Sequence, residues 1–187
     1  MMKRLINMAG LLALLATGLL QTTAYATDIP AAIAITGSVT QGASYSCSLY
    51  LNKSSVALLD NTATMISQNE NGTGGANVLI SIGGNSHTSQ CKTLADQGKL
   101  AYRFIGTTDN ADGTVLANSD NSTGSAKGVG VGVFNGDDNF SLLKINQDFL
   151  PANSWGNTIF LQMVKLNGQQ VTAGSVESSL TIQFERL

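Results

Sequence analysis

Apolar residues occupy alternate positions in six stretches of the chain. Ile29, Ala31, Ile33 and Ile35 alternate with Asp28, Pro30, Ala32 and Ala34. The same period of two recurs at Val78, Ile80 and Ile82, at Leu100, Tyr102 and Phe104, and at Val129, Val131 and Val133. It returns at Ile159, Leu161 and Met163, and a last time at Leu180, Ile182 and Phe184. Such a period marks strands that bury one face. Turn signals separate the runs: 71–75, Asp112-Gly113, Asn135-Gly136 and Asn167-Gly168. Asn135-Gly136 and Asn167-Gly168 have apolar runs on both sides and predict hairpins. Lys92 to Gln97 has room for one helical turn, and Asp109 to Gly124, rich in Asn, Asp, Ser and Gly, is expected to be an exposed loop. There is no linker and no internal repeat. Short strands at regular spacing without a long helical pattern predict an all-β, immunoglobulin-like sandwich.

The N-terminus is built differently. Lys3 and Arg4 precede an apolar run from Gly10 to Leu20, and Ala24-Tyr25-Ala26 places small residues at a cleavage site. This is the layout of a secretory signal peptide, predicted to span residues 1–26 and to be removed. Taking those 26 residues from 187 leaves a mature chain of 161, enough for one domain with a core. The apolar run is shorter than the roughly 20 residues a membrane span needs, and no later segment approaches that length.

Charge narrows the partners. Without Lys3 and Arg4 the mature chain has eight basic and 12 acidic residues, a net charge of −4. No basic stripe is available to track phosphates, so nucleic acid is excluded as an expected partner. Charged residues make up 12% of the chain, well below the usual quarter, and uncharged polar residues carry the surface instead. A surface of that kind suits packing against copies of the same chain outside the cell.

Two cysteines exist, Cys47 and Cys91. In an exported chain an even pair predicts a disulfide, which in the chain-entropy model adds roughly 4 kcal/mol. A metal site would need more ligands than these and His87 supply, so no metal is expected. His87 is the single histidine and sits in the polar stretch 83–90, without a nucleophile-elbow motif anywhere. Gly128-Val129-Gly130-Val131-Gly132 lacks the spacing of a nucleotide loop and reads as a strand with one glycine face, closely approached by a neighbour. Asp109 to Gly113 resembles a calcium loop, but Thr108 and Ser119 stand where carboxylates would be needed, so it reads as a turn. Asp137 and Asp138 read as hairpin charges, with a weak ion or sugar contact left open. Trp155 is expected to pack in the core or at its edge, with stacking on a sugar as the other reading. No catalytic constellation and no cofactor motif emerges, and the chain is not expected to be an enzyme.

Several segments in order resemble the chaperone–usher fimbrial pilins, the subunits of type 1-like fimbriae. They are Ile33-Ala34-Ile35-Thr36-Gly37-Ser38-Val39 before Cys47, Val78 to Ile82 leading to Cys91, and Leu100 to Gly106. Val115-Leu116-Ala117, Ala126 to Val131 and the C-terminal stretch Asn167 to Phe184 complete the set. The resemblance covers nearly the whole mature chain. Two departures stand out: Phe184 is followed by Glu185, Arg186 and Leu187, where the family usually ends on an aromatic next to last. About three extra residues between Gly37 and Cys47 predict a bulge or longer turn.

The resemblance implies an incomplete immunoglobulin-like sandwich completed by a donated strand, the system in which one subunit adds a strand to the next. Residues 27–36 would be the donor extension, with Ile29, Ala31, Ile33 and Ile35 as its apolar row, and 37–187 the pilin domain. Leu180, Ile182 and Phe184 would line the groove and pair with the chaperone's strand, with the carboxylate of Leu187 nearby. Implied partners are identical or related pilin subunits, a periplasmic pilus chaperone and an outer-membrane usher; the implied destination is a fimbria on the cell surface. The competing reading is a secreted carbohydrate-binding β-domain, a minor adhesive subunit.

Overall fold

The computed structural model describes residues 33–39, 47–83 and 88–187, the first stretch by its backbone alone. The expected leader, Ile29, Ala31, the connection 40–46 and His87 lie outside the described residues.

Among these residues ten strands and one helix follow in the order β1 (Ile33–Val39), β2 (Ser48–Leu51), β3 (Ala76–Gly83), α1 (Thr88–Asp96), β4 (Leu100–Ile105) and β5 (Leu116–Ala117). Then come β6 (Val129–Asn135), β7 (Ser141–Leu143), β8 (Phe149–Pro151), β9 (Asn157–Lys165) and β10 (Ser178–Arg186). They form two sheets, β1-β10-β4-β8 and β2-β3-β9-β6-β5, with β7 added to β6. The fold is the expected all-β, immunoglobulin-like sandwich. All five alternating runs from Val78 onward are strands, and their apolar faces meet between the sheets. Tyr102, Phe104, Leu180 and Ile182 come from one sheet; Ile80, Val131, Ile159 and Leu161 come from the other. Burying apolar area at roughly 25 cal/mol per Å² makes this core the main source of stability.

The second sheet is buried on both faces over part of its width, which a half-buried pattern did not foresee. Residues 66–72 run across its outer side, where Gln68 N donates to Lys165 O at 2.8 Å and Gly72 N donates to Phe140 O at 2.8 Å. Beneath them Val115, Phe134, Val164 and Leu166 form a second apolar cluster, and Phe140 meets Phe160 edge-on at 4.9 Å. The glycine face of β6 makes this possible. A Cβ on Gly132 would lie 2.6 Å from the Phe134 ring, and one on Gly130 would lie 2.8 Å from Leu116 O.

Four local expectations need correction. The helix is nine residues long and begins before Cys91, because Thr88 to Gln90 join it. Asn135-Gly136 does turn a hairpin, pairing Asn135 with Ser141. Asn167-Gly168 turns a corner instead: β9 and β10 lie in different sheets, so the chain crosses the sandwich there. The 109–124 segment is no open loop, since Val115 and Leu116 are buried and Asp109 is enclosed. Its carboxylate accepts from the backbone N–H groups of Ala111, Gly113, Thr114 and Val115 and from Gln68 Nε2. Burial pushes this carboxyl up, but the donated hydrogen bonds outweigh burial and hold it below the usual carboxylate range.

Trp155 is the fourth. It is 90% exposed, at the tip of the β8–β9 turn rather than in the core. The inward side of that turn is already filled by Ala152 and Asn157, leaving the indole no place inside.

Candidate assembly edge

β10 lies between β4 and β1. On one side it pairs antiparallel with β4, setting Ile182 opposite Phe104 and Phe184 opposite Tyr102. Leu180, Ile182 and Phe184 all point into the core and are almost fully buried. Between them Ser179, Thr181, Gln183 and Glu185 take the outer face, where Glu185 stands 3.7 Å from Arg103. Both side chains are partly exposed, so that pair contributes little.

On its other side β10 is paired in parallel with β1 along seven positions, from Ile33↔Ser178 to Val39↔Phe184. Ile35 therefore stands level with Leu180, and Gly37 with Ile182. Two groups of residues singled out in the sequence, the N-terminal row and the C-terminal strand, are thus neighbours. Ile33 and Ile35 are brought to this edge; Ile29 and Ala31 fall outside the described residues. β1 also runs unbroken across the expected junction between residues 36 and 37. Among the described residues it is the outermost strand of its sheet and pairs with β10 alone.

Near the start of β10 a notch of about 300 Å³ opens between the sheets, lined by Ile105, Gly106, Thr107, Ala117, Ser119, Ser179 and Thr181. Gly106 on its wall leaves no room for a side chain, because a Cβ there would meet Leu116 Cδ2 at 2.3 Å and Ser179 O at 2.9 Å. At the far end Leu187 lies beyond β10, 66% exposed, with its N–H donating to Lys99 O at 3.1 Å.

Cys47 and Cys91 are bonded within the chain, 44 residues apart. The bridge ties the residue just before β2 to α1. Sequence reasoning missed a second constellation at the opposite edge. There Asn157 links Asp137, Pro151 and Asn153, and through Asn153 the Trp155 turn. The only signal for it was the density of Asn at 153 and 157.

Among the described residues no group of three His, Cys, Asp or Glu side chains could hold a metal ion, and no helix is long and apolar enough to cross a membrane. The family model described as Fimbrial protein matches residues 33–185, beginning with β1 and ending within β10. No curated protein matches the chain.

Proposed function

The chain belongs to the fimbrial protein family, and on that premise we propose that it is a structural subunit polymerised by strand donation along the β10 edge. The observation that carries this reading is the pairing of β10, along seven positions, with a strand at the rim of its sheet among the described residues. A terminal strand held at one edge can be exchanged for the same strand from another copy, at little cost in contacts made. Donation to a neighbour would then replace β1 on β10 by the corresponding segment of the next subunit, including Ile29 and Ala31. A bare β10 edge over an apolar core would aggregate, which gives a periplasmic chaperone its role: it covers the edge until the usher exchanges strands. Export through the periplasm and display on the surface follow from the same reading, and no catalytic step is invoked.

The decisive experiment removes Thr27 to Ile35 from the exported chain. The truncated subunit should still be captured by its chaperone and should still accept a donor. It could offer no strand onward, so fibres should stop wherever it enters, as counted by mass spectrometry of sheared fibres. Normal polymerisation, or collapse despite the chaperone, would refute strand donation.

A further inference from the structure

The hairpin between β6 and β7 carries a sequence pattern that fibre assembly does not use. Asp137-Asp138-Asn139-Phe140-Ser141 sets an asparagine two residues after a carboxylate and two before a hydroxyl. Asn-X-Ser or Asn-X-Thr, with X other than proline, is the acceptor signal for N-glycosylation on surface loops of exported chains. The chain has the shorter pattern at Asn52, Asn71 and Asn121 as well, with Tyr50, Asn69 and Ser119 in place of the leading carboxylate. All four asparagines are exposed, so exposure does not separate them. Their amides do. Asn52 Oδ1 accepts from Leu79 N at 2.9 Å, Asn71 Nδ2 donates to Asn139 O at 3.2 Å, and Asn121 Nδ2 donates to Ser119 O at 3.2 Å. The side-chain amide of Asn139 makes no hydrogen bond among the described residues. Asn139 and Phe140 have φ of +45° and +51°, a left-handed pair that Asn adopts readily and a bulky residue rarely does. Phe140 is held there by its ring, edge-on to Phe160, and by its carbonyl, which accepts from Gly72 N at 2.8 Å. Phe140 thus turns inward and Asn139 stands out at the tip.

We infer that Asn139 is an N-glycosylation acceptor, taking an oligosaccharide from a lipid diphosphate donor outside the cytoplasm. Asn139 Nδ2 attacks the anomeric carbon of the donor and a C–N bond forms. The bond from that carbon to the diphosphate breaks, the lipid diphosphate leaves with the electron pair, and the amide gives one proton to a base of the transferase. One N–H remains on the amide. The Ser141 hydroxyl and the Asp137 carboxylate are the flanking groups for the transferase to read, the second by a cationic subsite. In the folded hairpin both are engaged: Ser141 Oγ bonds Asp138 Oδ2 at 3.3 Å, and Asp137 Oδ2 accepts from Asn157 Nδ2 at 3.2 Å and Thr158 N at 3.4 Å. Transfer therefore precedes closure of the hairpin. The folded protein then carries the glycan without losing a hydrogen bond, because the Asn139 amide makes none. At Asn52 or Asn71 a glycan would load an amide that ties two segments together. The hairpin belongs to the sheet without β10, so the glycan and the assembly edge use different sheets.

The inference needs export but not strand donation, so it is tested on the chain from the periplasm as well as on sheared fibres of the cells that make it. Trypsin cuts after Lys127 and Lys144 and releases residues 128–144, in which Asn139 is the acceptor pattern. Mass spectrometry should find this peptide with an added glycan, and electron-transfer fragments should place it on Asn139 rather than Asn135. Asn139→Asp keeps a short side chain suited to the left-handed backbone and should remove the added mass while the chain still folds. Ser141→Ala should remove it too, whereas Ser141→Thr should keep it, a difference that a serine serving only the hairpin would not produce. The inference is overturned if residues 128–144 are found only at their unmodified mass. It is equally overturned if the glycan sits on Asn52, Asn71 or Asn121 instead, or survives Ser141→Ala. The N-terminal peptide of the same digest tells two failures apart: a bare Asn139 on a chain beginning at Thr27 counts against the site, and one on a chain beginning at Met1 counts against export.

Discussion

Tyr102 and Phe184 face each other across the β4–β10 pair, their ring centroids 5.1 Å apart and their planes tilted by 31°. This contact ties the end of β10 to the middle of its sheet. Such aromatic pairs contribute about 0.5–1.5 kcal/mol beyond the area they bury.

The same tyrosine carries an oddity. Its hydroxyl is buried and has no hydrogen-bond partner among the described residues, and burial raises its pKa far above the usual value. An orphaned buried hydroxyl costs about 1–3 kcal/mol, whereas the ring contact needs no oxygen. Tyr102→Phe should therefore leave stability unchanged or raise it by about 1 kcal/mol in denaturant unfolding. A loss of more than about 1 kcal/mol would mean that the hydroxyl has a partner in the folded protein.

Asp109 predicts an acid limb. Its folded pKa lies below the unfolded value, so its contribution is complete above about pH 4 and fades as the pH falls toward the folded value. Asp109→Asn turns an N–H-rich nest toward a group that is half donor, and should cost about 2–3 kcal/mol at neutral pH. The gap between wild type and variant should narrow on acidification, which thermal melts at stepped pH would reveal. A gap that stays constant down to pH 2 would show that the carboxylate charge is not what matters.

How much of this could be read from sequence depended on range. Alternating runs named the core residues correctly from Val78 to Phe184, because burial on one face of a strand is a local pattern. Sheet membership is not local, so Asn167-Gly168 looked like a hairpin while the chain was crossing between sheets. Trp155 was misplaced for a related reason: its hydrophobicity argued for burial, but Ala152 and Asn157, close by in the chain, take the inward positions. The candidate assembly edge was half legible. Both strands were recognised, but their parallel pairing joins residues about 145 apart, as in Ile33 with Ser178, and no sequence period encodes that.

Gly132 should tolerate no side chain. Gly132→Ala would put a methyl 2.6 Å from the Phe134 ring and 3.4 Å from Val164 Cγ1, in a cluster already closed by residues 66–72. Overpacking of this kind costs about 1–3 kcal/mol. Gly124→Ala, where nothing lies within 4 Å, is the control and should change little in the same unfolding assay.

The disulfide should matter more for stability than for the shape of the core. Cys47→Ser with Cys91→Ser releases a 44-residue loop in the unfolded state, worth roughly 4 kcal/mol in the chain-entropy model. The double variant should melt lower and accumulate less outside the cytoplasm, yet give an unchanged far-ultraviolet spectrum once folded. Equal stability of the oxidised protein and the variant would remove the bridge from any structural role.

The sharpest expectation concerns β1 itself. A strand that, among the described residues, pairs only with β10 at the rim of its sheet should be separable from the rest of the molecule without destroying it. Deleting residues 27–39 should leave β2 to β10 folded but destabilised, since seven rungs of pairing vanish and the buried row Leu180, Ile182 and Phe184 loses its cover on that side. Adding a synthetic peptide of residues 27–39 should restore the unfolding midpoint in a concentration-dependent way, as any ligand that binds only the folded state must. Replacing Ile35 by Asp in the peptide should weaken the rescue, because a charge would then be carried level with Leu180. An Asp28→Asn peptide should rescue as well as the parent. If the truncated protein is as stable as the full chain, or unfolds irretrievably whatever peptide is present, β1 is not an exchangeable strand, and polymerisation would have to use another surface.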